Sequence, residues 1–326
     1  MVPAGIVGLG AYVPPNIMTN EDWSKLVDTS DEWIIEKTGI KERRVAGTET
    51  CTSDLAVIAS RNAINEAGLD PQEIDLLILA TSSPDVPLSS TAGIVQSKLG
   101  CSNAAAFDIN AVCAGWVHAL DVGSRFVGTS GYENVLVVAA EVYSRILNWE
   151  DRSTCVLFGD GAGAAVISEV EGKRGILGSW MMSDGDGSSV IQIPAGGVRT
   201  PILSDGFQEG DQYFQMDGRA VWDFAVEAFP QAVRKILEKI DRDLSEVDMI
   251  IPHQANLRIV ESGMKKLGLP MSKTYTNMQQ YGNTAGASVP IALKEAVEKG
   301  MVNRGDLVIT VAFGGGLAWG SNAILW

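Results

Sequence analysis

Two stretches of the chain repeat the same order of hydrophobic and polar residues. Residues 55–84, LAVIASRNAINEAGLDPQEIDLLILATSSP, combine an amphipathic helical pattern with a short run that is apolar throughout. Residues 229–256, FPQAVRKILEKIDRDLSEVDMIIPHQAN, give the same order, and both have Glu, a β-branched residue and Asp before the apolar run. Each stretch therefore predicts a helix packed on one face, followed by a buried strand.

The repeat continues further along each stretch. A helical pattern starting at Ala114 leads into VLVVAAE at residues 135–141, and one starting at Ala285 leads into LVITVAF at residues 307–313. Alternating helix and strand patterns predict an α/β fold, and the repetition predicts two pseudo-symmetric halves. We expect halves of residues 1–174 and 175–326, packed as one unit because no Pro/Gly/Ser-rich linker separates them. Chance similarity between generic strand–helix units is the alternative.

Charge and composition exclude several classes of protein. The 326 residues carry a formal net charge of -15 without a basic block, which excludes generic nucleic-acid binding. Four cysteines and two histidines lack the spacing of a metal site, so we expect no metal and no disulfide framework. The sequence shows no signal peptide and no apolar run long enough to span a bilayer, which predicts a soluble, cytoplasmic protein without a membrane partner.

A cysteine, a histidine and an asparagine stand at corresponding ends of these patterns. Cys113 follows Asp75 by 38 residues and Asn283 follows Asp248 by 35, so the repeat places the two side chains near each other. His253 ends the strand of the second half, where ligand-facing residues of α/β sheets emerge. A helix N-terminus would lower the pKa of the Cys113 thiol and favour a nucleophilic thiolate. The alternative is a small hydrophobic residue of the core.

Six motifs, in order, identify the sequence as a member of the β-ketoacyl-acyl-carrier-protein synthase III family, the initiating condensing enzymes of bacterial fatty-acid synthesis. They are TSDEWIIEKTGIKERR, NAVCAGW, FGDGAGAAV, PHQANLRI, YGNTAGASVP and FGGGLAWG. The resemblance covers essentially the whole chain. It implies a thiolase-like fold with layers in the order α-β-α-β-α, and a homodimer. It also implies that no cofactor is needed, because acyl-CoA is a substrate.

The resemblance also implies the reaction and its catalytic residues. An acyl-CoA primer condenses with malonyl-acyl-carrier protein in a ping-pong sequence, in which Cys113 accepts the acyl group. His253 and Asn283 stabilise the enolate formed by decarboxylation, and an amide suits this role because it donates hydrogen bonds to developing negative charge. The backbone N–H groups of Cys113 and Gly315 form the oxyanion hole, with a shift of one residue within 314–316 left open.

Further positions are implied for coenzyme A. Trp33 stacks on its adenine, Lys37 lies one helical turn further on near its phosphates, and Arg152 faces the adenine from the other side. Arg219 and Asn256 fall at positions that line the pantetheine channel. The structural alternatives are a packed Trp33 with a solvated Lys37, a surface ion pair at Arg152, and a helix cap at Asn256.

The acidic carrier protein and the acyl chain complete the predicted partners. Arg258, Lys265 and Lys266 share a helix whose basic face would bind the carrier protein, the alternative being an ordinary solvated face. Leu88 resembles a position that shapes the acyl pocket.

Other readings of the chain stay open or are set aside. A starter condensing enzyme of secondary metabolism and a non-catalytic partner subunit are the alternatives on the same fold. A Cys-His-Asn protease is the alternative from another class. We read GDGAGAA at residues 159–165 as tight backbone packing and not a phosphate loop, because a strand pattern follows it. His118 is expected to be structural.

Overall fold

The computed structural model describes residues 3–129, 131–172 and 174–326. Residues 1, 2, 130 and 173 of the two predicted halves lie outside these ranges. The strands are β1 Ala4–Tyr12, β2 Ile17–Thr19, β3 Glu42–Arg44, β4 Leu76–Ala80, β5 Ala105–Ile109, β6 Val135–Glu141, β7 Gly161–Glu169, β8 Gly175–Ser183, β9 Ile191–Gln192, β10 Gln215–Met216, β11 Met249–Pro252, β12 Leu307–Gly314 and β13 Ala318–Leu325. The helices are α1 Asn20–Ser24, α2 Asp31–Thr38, α3 Thr52–Ala67, α4 Thr91–Leu99, α5 Gly115–Phe126, α6 Gly218–Lys239, α7 Leu257–Leu267, α8 Met278–Tyr281 and α9 Ser288–Glu298.

Two mixed sheets share one topology. The first has the order β1-β7-β6-β4-β5, and the second has the order β8-β13-β12-β11. In each sheet the crossover strands are parallel and the next two pairings are antiparallel. A parallel bridge between Ile250 and Thr274 occupies the place that β5 holds in the first sheet. The predicted repeat is therefore confirmed. Strands β1 and β8 also correspond, because each lies at the same end of its sheet.

Helices fill the spaces on and between the sheets. Helix α3 packs on β1 and β7 and contacts α4, while α6 packs on β8, β12 and β13 and contacts α7. Helices α5 and α9 contact strands of both sheets and form the central layer. The order is the predicted α-β-α-β-α, since each sheet buries both faces against helices. The division of the chain between residues 174 and 175 stays a prediction.

Local sequence explains several of these elements. The strand β4, LLILA, is buried along its whole length, as expected for a parallel strand covered on both faces. Helix α6 starts earlier than the pattern at Phe229 indicates, because the Asp217 carboxylate accepts hydrogen bonds from the N–H groups of Arg219 and Ala220. Among the described residues, no helix is long and apolar enough to cross a membrane.

Candidate active site

A cavity of about 450 Å³ opens where the N-terminal ends of α5 and α9 meet the carboxyl ends of β11 and β12. Cys113, His253 and Asn283 all line it, as the sequence predicts. Its wall is mostly apolar and aromatic, with side chains that include Leu157, Phe158, Ile191, Phe214, Met216, Val221, Trp222, Phe224 and Phe313. Such a chamber suits a long apolar or amphipathic substrate arm and excludes water from the polar groups.

Cys113 lies in a single 3₁₀ turn, Val112–Ala114, that directly precedes α5. The turn is sharp: Val112 has a φ of 48°, and its N–H donates to the Asn110 Oδ1 at 3.2 Å. Gly314 packs against the cysteine so closely that a methyl group there would lie 2.7 Å from the Cys113 Cβ. A glycine at this position therefore lets the end of β12 approach the cysteine.

The expected lowering of the Cys113 pKa is wrong for the resting site. Burial raises the pKa of the thiol, and the nearby Glu141 carboxylate raises it further. The backbone N–H of Cys113 stabilises the thiolate and lowers the pKa, but by less than burial raises it. Burial dominates because the side chain is only 6% exposed. The cysteine is a neutral thiol at rest and loses its proton only when it reacts.

His253 follows β11, and its backbone N–H donates to the Val311 carbonyl at 2.7 Å. The ring is 2% exposed and lies edge-on to Phe313, with 5.4 Å between the ring centroids. Burial lowers the pKa of His253 to about 3. The imidazole is therefore neutral at physiological pH, and no thiolate–imidazolium pair forms with Cys113.

The amide of Asn283 has a defined orientation. Its Oδ1 accepts the Ala285 N–H at 2.9 Å, which leaves the NH₂ group to face the cavity. The backbone is fixed on both sides, since Asn283 N–H donates to the Leu157 carbonyl and the Gly159 N–H donates to the Asn283 carbonyl. Asn283 is thus a pre-oriented donor.

The repeat pairs Asn283 with Asn110 and not with Cys113. Both asparagines follow the strand-leading aspartate of their half by 35 residues, and each side chain accepts the N–H of the residue two positions on. Cys113 corresponds to Gly286, 38 residues after its aspartate. Cys113 and Asn283 both line the cavity, so the proximity predicted from the repeat is correct. The two residues do not, however, occupy equivalent positions of the repeat.

The predicted coenzyme A residues lie mostly at the mouth of this cavity. Trp33, Lys37 and Asn256 line it. Arg152 lies with its guanidinium carbon 5.5 Å from the centroid of the Trp33 ring. Asn256 also caps α7, because its Oδ1 accepts the Arg258 N–H at 2.8 Å. Both readings of Asn256, cap and channel residue, are compatible with its position.

Three predicted positions do not line the cavity of this chain. The Arg219 side chain is 84% exposed and pairs with Asp223 at 2.9 Å, so it does not line the cavity; the neighbouring Val221 and Trp222 do. Gly315 does not line the cavity, whereas Gly314 does. Leu88 is 91% exposed and lies outside the cavity of its own chain. For Arg219 the segment was predicted correctly, but its side chain is directed to solvent and not into the cavity.

The predicted carrier-protein residues lie on α7, as expected. Lys265 and Lys266 are exposed near its C-terminal end, and Arg258 is in its first turn. Arg258 pairs with Glu261 at 3.0 Å, and Lys266 pairs with Glu227. The basic face therefore exists, but two of its three cations already have acidic neighbours.

Glu141 is a buried residue that acts on Cys113 from outside the cavity and that sequence reasoning missed. Its carboxylate accepts hydrogen bonds from Thr81, Ser82 and Ser83, and Ser82 also contacts the Tyr143 hydroxyl. Burial raises the pKa of Glu141 to about 7. The only signal in the sequence is a Glu that ends the apolar strand VLVVAAE. The partners lie in the loop after β4, a different strand, so spacing does not reveal them.

Two motifs set aside from the sequence have structural roles. Asp160 of the GDGAG segment is buried and accepts hydrogen bonds from the Ala46 N–H and from Ser144. The segment then continues into β7, so no helix N-terminus is available for a phosphate. His118 contacts the Ala114 carbonyl of its own helix at 2.9 Å, as expected for a structural histidine.

The duplicated five-layer fold and its Cys, His and Asn cavity define the class, a thiolase-fold condensing enzyme. Two family models match the chain: 3-oxoacyl-[acyl-carrier-protein (ACP)] synthase III over residues 107–185, and its C-terminal model over residues 237–326. A β-ketoacyl-[acyl-carrier-protein] synthase III from Caldanaerobacter subterraneus subsp. tengcongensis is 50% identical, over 100% of this chain and 98% of the relative. The chain belongs to the β-ketoacyl-acyl-carrier-protein synthase III family, the initiating condensing enzymes of fatty-acid biosynthesis.

Solved structures agree. The crystal structure of 3-oxoacyl-[acyl-carrier-protein] synthase III from Aquifex aeolicus VF5 is 44% identical, covers 99% of this chain and 100% of its own, and gives a TM-score of 0.91. A priming β-ketosynthase from the R1128 polyketide pathway is 33% identical, covers 99% of this chain and 96% of its own, and gives a TM-score of 0.93. The backbone alone therefore does not separate a fatty-acid enzyme from a polyketide starter enzyme.

Proposed function

We propose that Cys113, His253 and Asn283 carry out the decarboxylative condensation of an acyl-CoA primer with malonyl-acyl-carrier protein. The Cys113 sulfur attacks the acyl thioester, and coenzyme A leaves as the thiol with the cysteine proton. Malonyl-carrier protein then binds and loses CO₂, and the resulting carbanion attacks the acyl-Cys113 carbonyl. A carbon–carbon bond forms as the carbon–sulfur bond breaks, and 3-oxoacyl-carrier protein is released. The Cys113 thiolate takes up a proton from solvent, which restores the resting thiol.

The observation that carries this proposal is a thiol and two neutral donors in one apolar cavity. Decarboxylation puts negative charge on the thioester oxygen of the malonyl group. A neutral His253 and the Asn283 NH₂ group can donate to that oxygen without a counter-charge that would hold the carboxylate in place. An intact trio also argues against a non-catalytic partner subunit.

The oxyanion of the acyl-transfer steps requires other donors. The backbone N–H of Cys113 is one, and the glycine turn after β12 supplies the second. Gly314 brings this turn into contact with the cysteine, and Gly315 is the first residue beyond the last paired position of β12 and β13. We keep Gly315 N–H as the second donor on this ground.

The remaining substrate sites follow from the mouth of the cavity. We place the adenine of coenzyme A against Trp33 and Arg152, and its pantetheine arm past Asn256 towards Cys113. No cofactor is required, because the thiol and the donors suffice for acyl transfer and decarboxylation. We assign the enzyme to the cytoplasm, where acyl-CoA and carrier proteins are available.

A homodimer explains the position of Leu88. Strand β5 ends its sheet, and an uncovered sheet edge favours pairing with another chain. The Asp108 carboxylate on β5 accepts the N–H groups of Thr91 and Ala92 at 2.8 and 2.7 Å, which holds the Leu88 loop beside this edge. We propose that a second copy pairs along β5 and that Leu88 enters the acyl pocket of that copy.

Mass spectrometry of the intact protein and its peptides tests the proposal directly. After mixing with a panel of acyl-CoAs, the Cys113 peptide should gain an acyl group, and Cys113→Ala should gain none. His253→Ala should load the acyl group yet fail to condense it with malonyl-carrier protein. Absence of acylation by any acyl-CoA in the folded protein would refute CoA priming, and equal loss of loading and condensation in His253→Ala would refute the separate roles.

A further inference from the structure

Ser288 lies directly behind the imidazole of His253. It is the first residue of α9, is 1% exposed, and places its Oγ 2.6 Å from His253 Nδ1. The same Oγ lies 3.3 Å from the backbone nitrogen of Gln254. The N-cap position of α9 is Ala287, and Ser288 is already inside the helix. Ser288 is therefore not the capping residue of α9.

Pairing every buried donor favours one direction for these bonds. The Gln254 N–H can only donate, so it donates to the Ser288 Oγ. Within the described part of the chain, the hydroxyl has one other hydrogen-bond partner, His253 Nδ1. If Oγ also accepted from a protonated Nδ1, the buried Ser288 O–H would be left without a partner, which is costly. The arrangement that pairs every group has the Ser288 O–H donating to Nδ1 as the unprotonated nitrogen of a neutral ring. The single imidazole proton then resides on Nε2.

We propose that Ser288 is a positioning residue that holds His253 in the Nε2–H tautomer. No residue in the described ranges bonds to Nε2, and the ring lines the cavity, so this N–H is available to the substrate. The proposal rests on the role of His253 given above. The other tautomer would present a lone pair to the developing enolate oxygen and would repel it.

The other histidine provides an internal reference. His118 Nδ1 lies 2.9 Å from the Ala114 carbonyl oxygen, which can only accept a hydrogen bond. A neutral His118 therefore carries its proton on Nδ1. Since the chain has only two histidines, the structure predicts two opposite tautomers in one protein.

Nitrogen NMR of the full-length protein labelled with ¹⁵N-histidine tests the tautomers without any substrate. The wild type should show one ring protonated at Nε2 and one at Nδ1, and His118→Gln should remove the second set of signals. Ser288→Ala should convert the His253 signals to a mixture of tautomers. A wild-type His253 protonated at Nδ1, or a Ser288→Ala spectrum identical to wild type at His253, would overturn the proposal.

Activity provides the second readout. Residues that orient metal-bound histidines typically contribute about 10- to 100-fold. By analogy, Ser288→Ala should lower condensation by about that factor and leave Cys113 acylation unchanged. Ser288→Thr keeps the hydroxyl and should restore both the single tautomer and the rate. Ser60→Ala is the matched control: Ser60 is also buried in a helix, and its hydroxyl has no hydrogen-bond partner among the described residues.

The two proposals fail in different ways. If His253→Ala condenses normally, the assigned role of His253 is wrong, whatever the tautomer. If His253→Ala is inactive while Ser288→Ala keeps both its activity and its single tautomer, the role of His253 stands and that of Ser288 does not.

Discussion

At the scale of single residues, hydrogen bonds made away from the substrate decide what each polar group offers it. Asn283 uses its oxygen on the Ala285 N–H and therefore presents its NH₂ group. Asn283→Asp should keep this backbone bond and fold, but it replaces the donor with a negative charge. We expect a loss of about 10²- to 10³-fold in condensation, with much of the acyl loading retained, measured as CO₂ release and acyl-Cys113 mass.

The corresponding residue of the first half is the natural control. Asn110 makes the same bond, to the Val112 N–H, but is exposed and does not line the cavity. Asn110→Asp should leave condensation close to wild type. A similar loss in both variants would mean that the turns, and not the donor at Asn283, account for the effect.

Glu141 gives the folded protein a pH dependence. Its pKa rises from an ordinary 4.5 to about 7 because the carboxylate is buried, so the native state binds its proton more tightly than the unfolded chain. The stability contributed by the protonated form is complete below pH 4.5 and is lost as the pH rises through 7. The loss approaches about 3 kcal/mol, since each pKa unit corresponds to about 1.4 kcal/mol.

Glu141→Gln isolates this contribution. The difference in free energy of unfolding between variant and wild type, from urea titrations at a series of pH values, should shift in favour of the variant between pH 5 and 8. Removing the charge should also speed alkylation of Cys113 at a fixed pH, because Glu141 is one cause of the raised thiol pKa. Glu49→Gln makes the same change at an exposed position. A pH-independent difference for Glu141→Gln would contradict the assignment.

At the scale of elements, α7 holds the end of α2. The last carbonyls of a helix lack partners within it. Arg258 Nε donates to the Glu36 carbonyl at 3.0 Å, and Asn256 Nδ2 donates to the Lys37 carbonyl at 3.1 Å. Because α2 carries Trp33, the two side chains position part of the proposed coenzyme A site. Arg258 therefore has a structural role in addition to any contact with the carrier protein.

This arrangement changes what a mutation of the basic face reports. Arg258→Ala removes a hydrogen bond of about 1 kcal/mol, and we expect the KM for acyl-CoA to rise about fivefold together with that for malonyl-carrier protein. Lys265 is exposed near the other end of α7. Lys265→Glu should raise only the KM for malonyl-carrier protein. Steady-state kinetics with each substrate varied in turn distinguishes these outcomes.

Arg61→Glu, on α3 at the outer face of the first sheet, controls for the change in net charge and should alter neither constant. An unchanged KM for acyl-CoA in Arg258→Ala would show that its bond to α2 does not position the coenzyme A site. An unchanged KM for malonyl-carrier protein in Lys265→Glu would remove that residue from the docking face.

At the scale of the whole molecule, the sequence predicts the architecture well because helices and strands have different hydrophobic patterns. The helices are amphipathic, and the buried strands are apolar throughout. The repeated helix–strand patterns predict two similar sheets, and the strand ends predict where Cys113 and His253 meet. Glu141 and Ser288 could not be found in this way, because their partners lie on distant segments and polar residues at strand or helix ends are common. Leu88 was assigned to the acyl pocket, but it is exposed and lies outside the cavity of its own chain.

That residue carries the prediction about assembly. If Leu88 acts across a dimer, the primer preference of a cavity depends on residue 88 of the other chain. Leu88→Trp should narrow the pocket and shift loading towards shorter acyl-CoAs, while sedimentation should still give twice the mass of one chain. In a heterodimer of Leu88→Trp with Cys113→Ala, purified through two different tags, only the Leu88→Trp subunit keeps a reactive cysteine.

The two models then give opposite results in the same sample. Because the Cys113→Ala subunit keeps a wild-type Leu88, action across the dimer predicts that the surviving cysteine loads the wild-type range of acyl-CoAs. Action within one chain predicts the narrowed range of the Leu88→Trp homodimer, which serves as the reference, and would refute the exchange. If the wild-type protein sediments with the mass of a single chain, the dimer itself is refuted. The loading range of the heterodimer thus tests which cavity Leu88 enters, and sedimentation tests independently how many chains assemble.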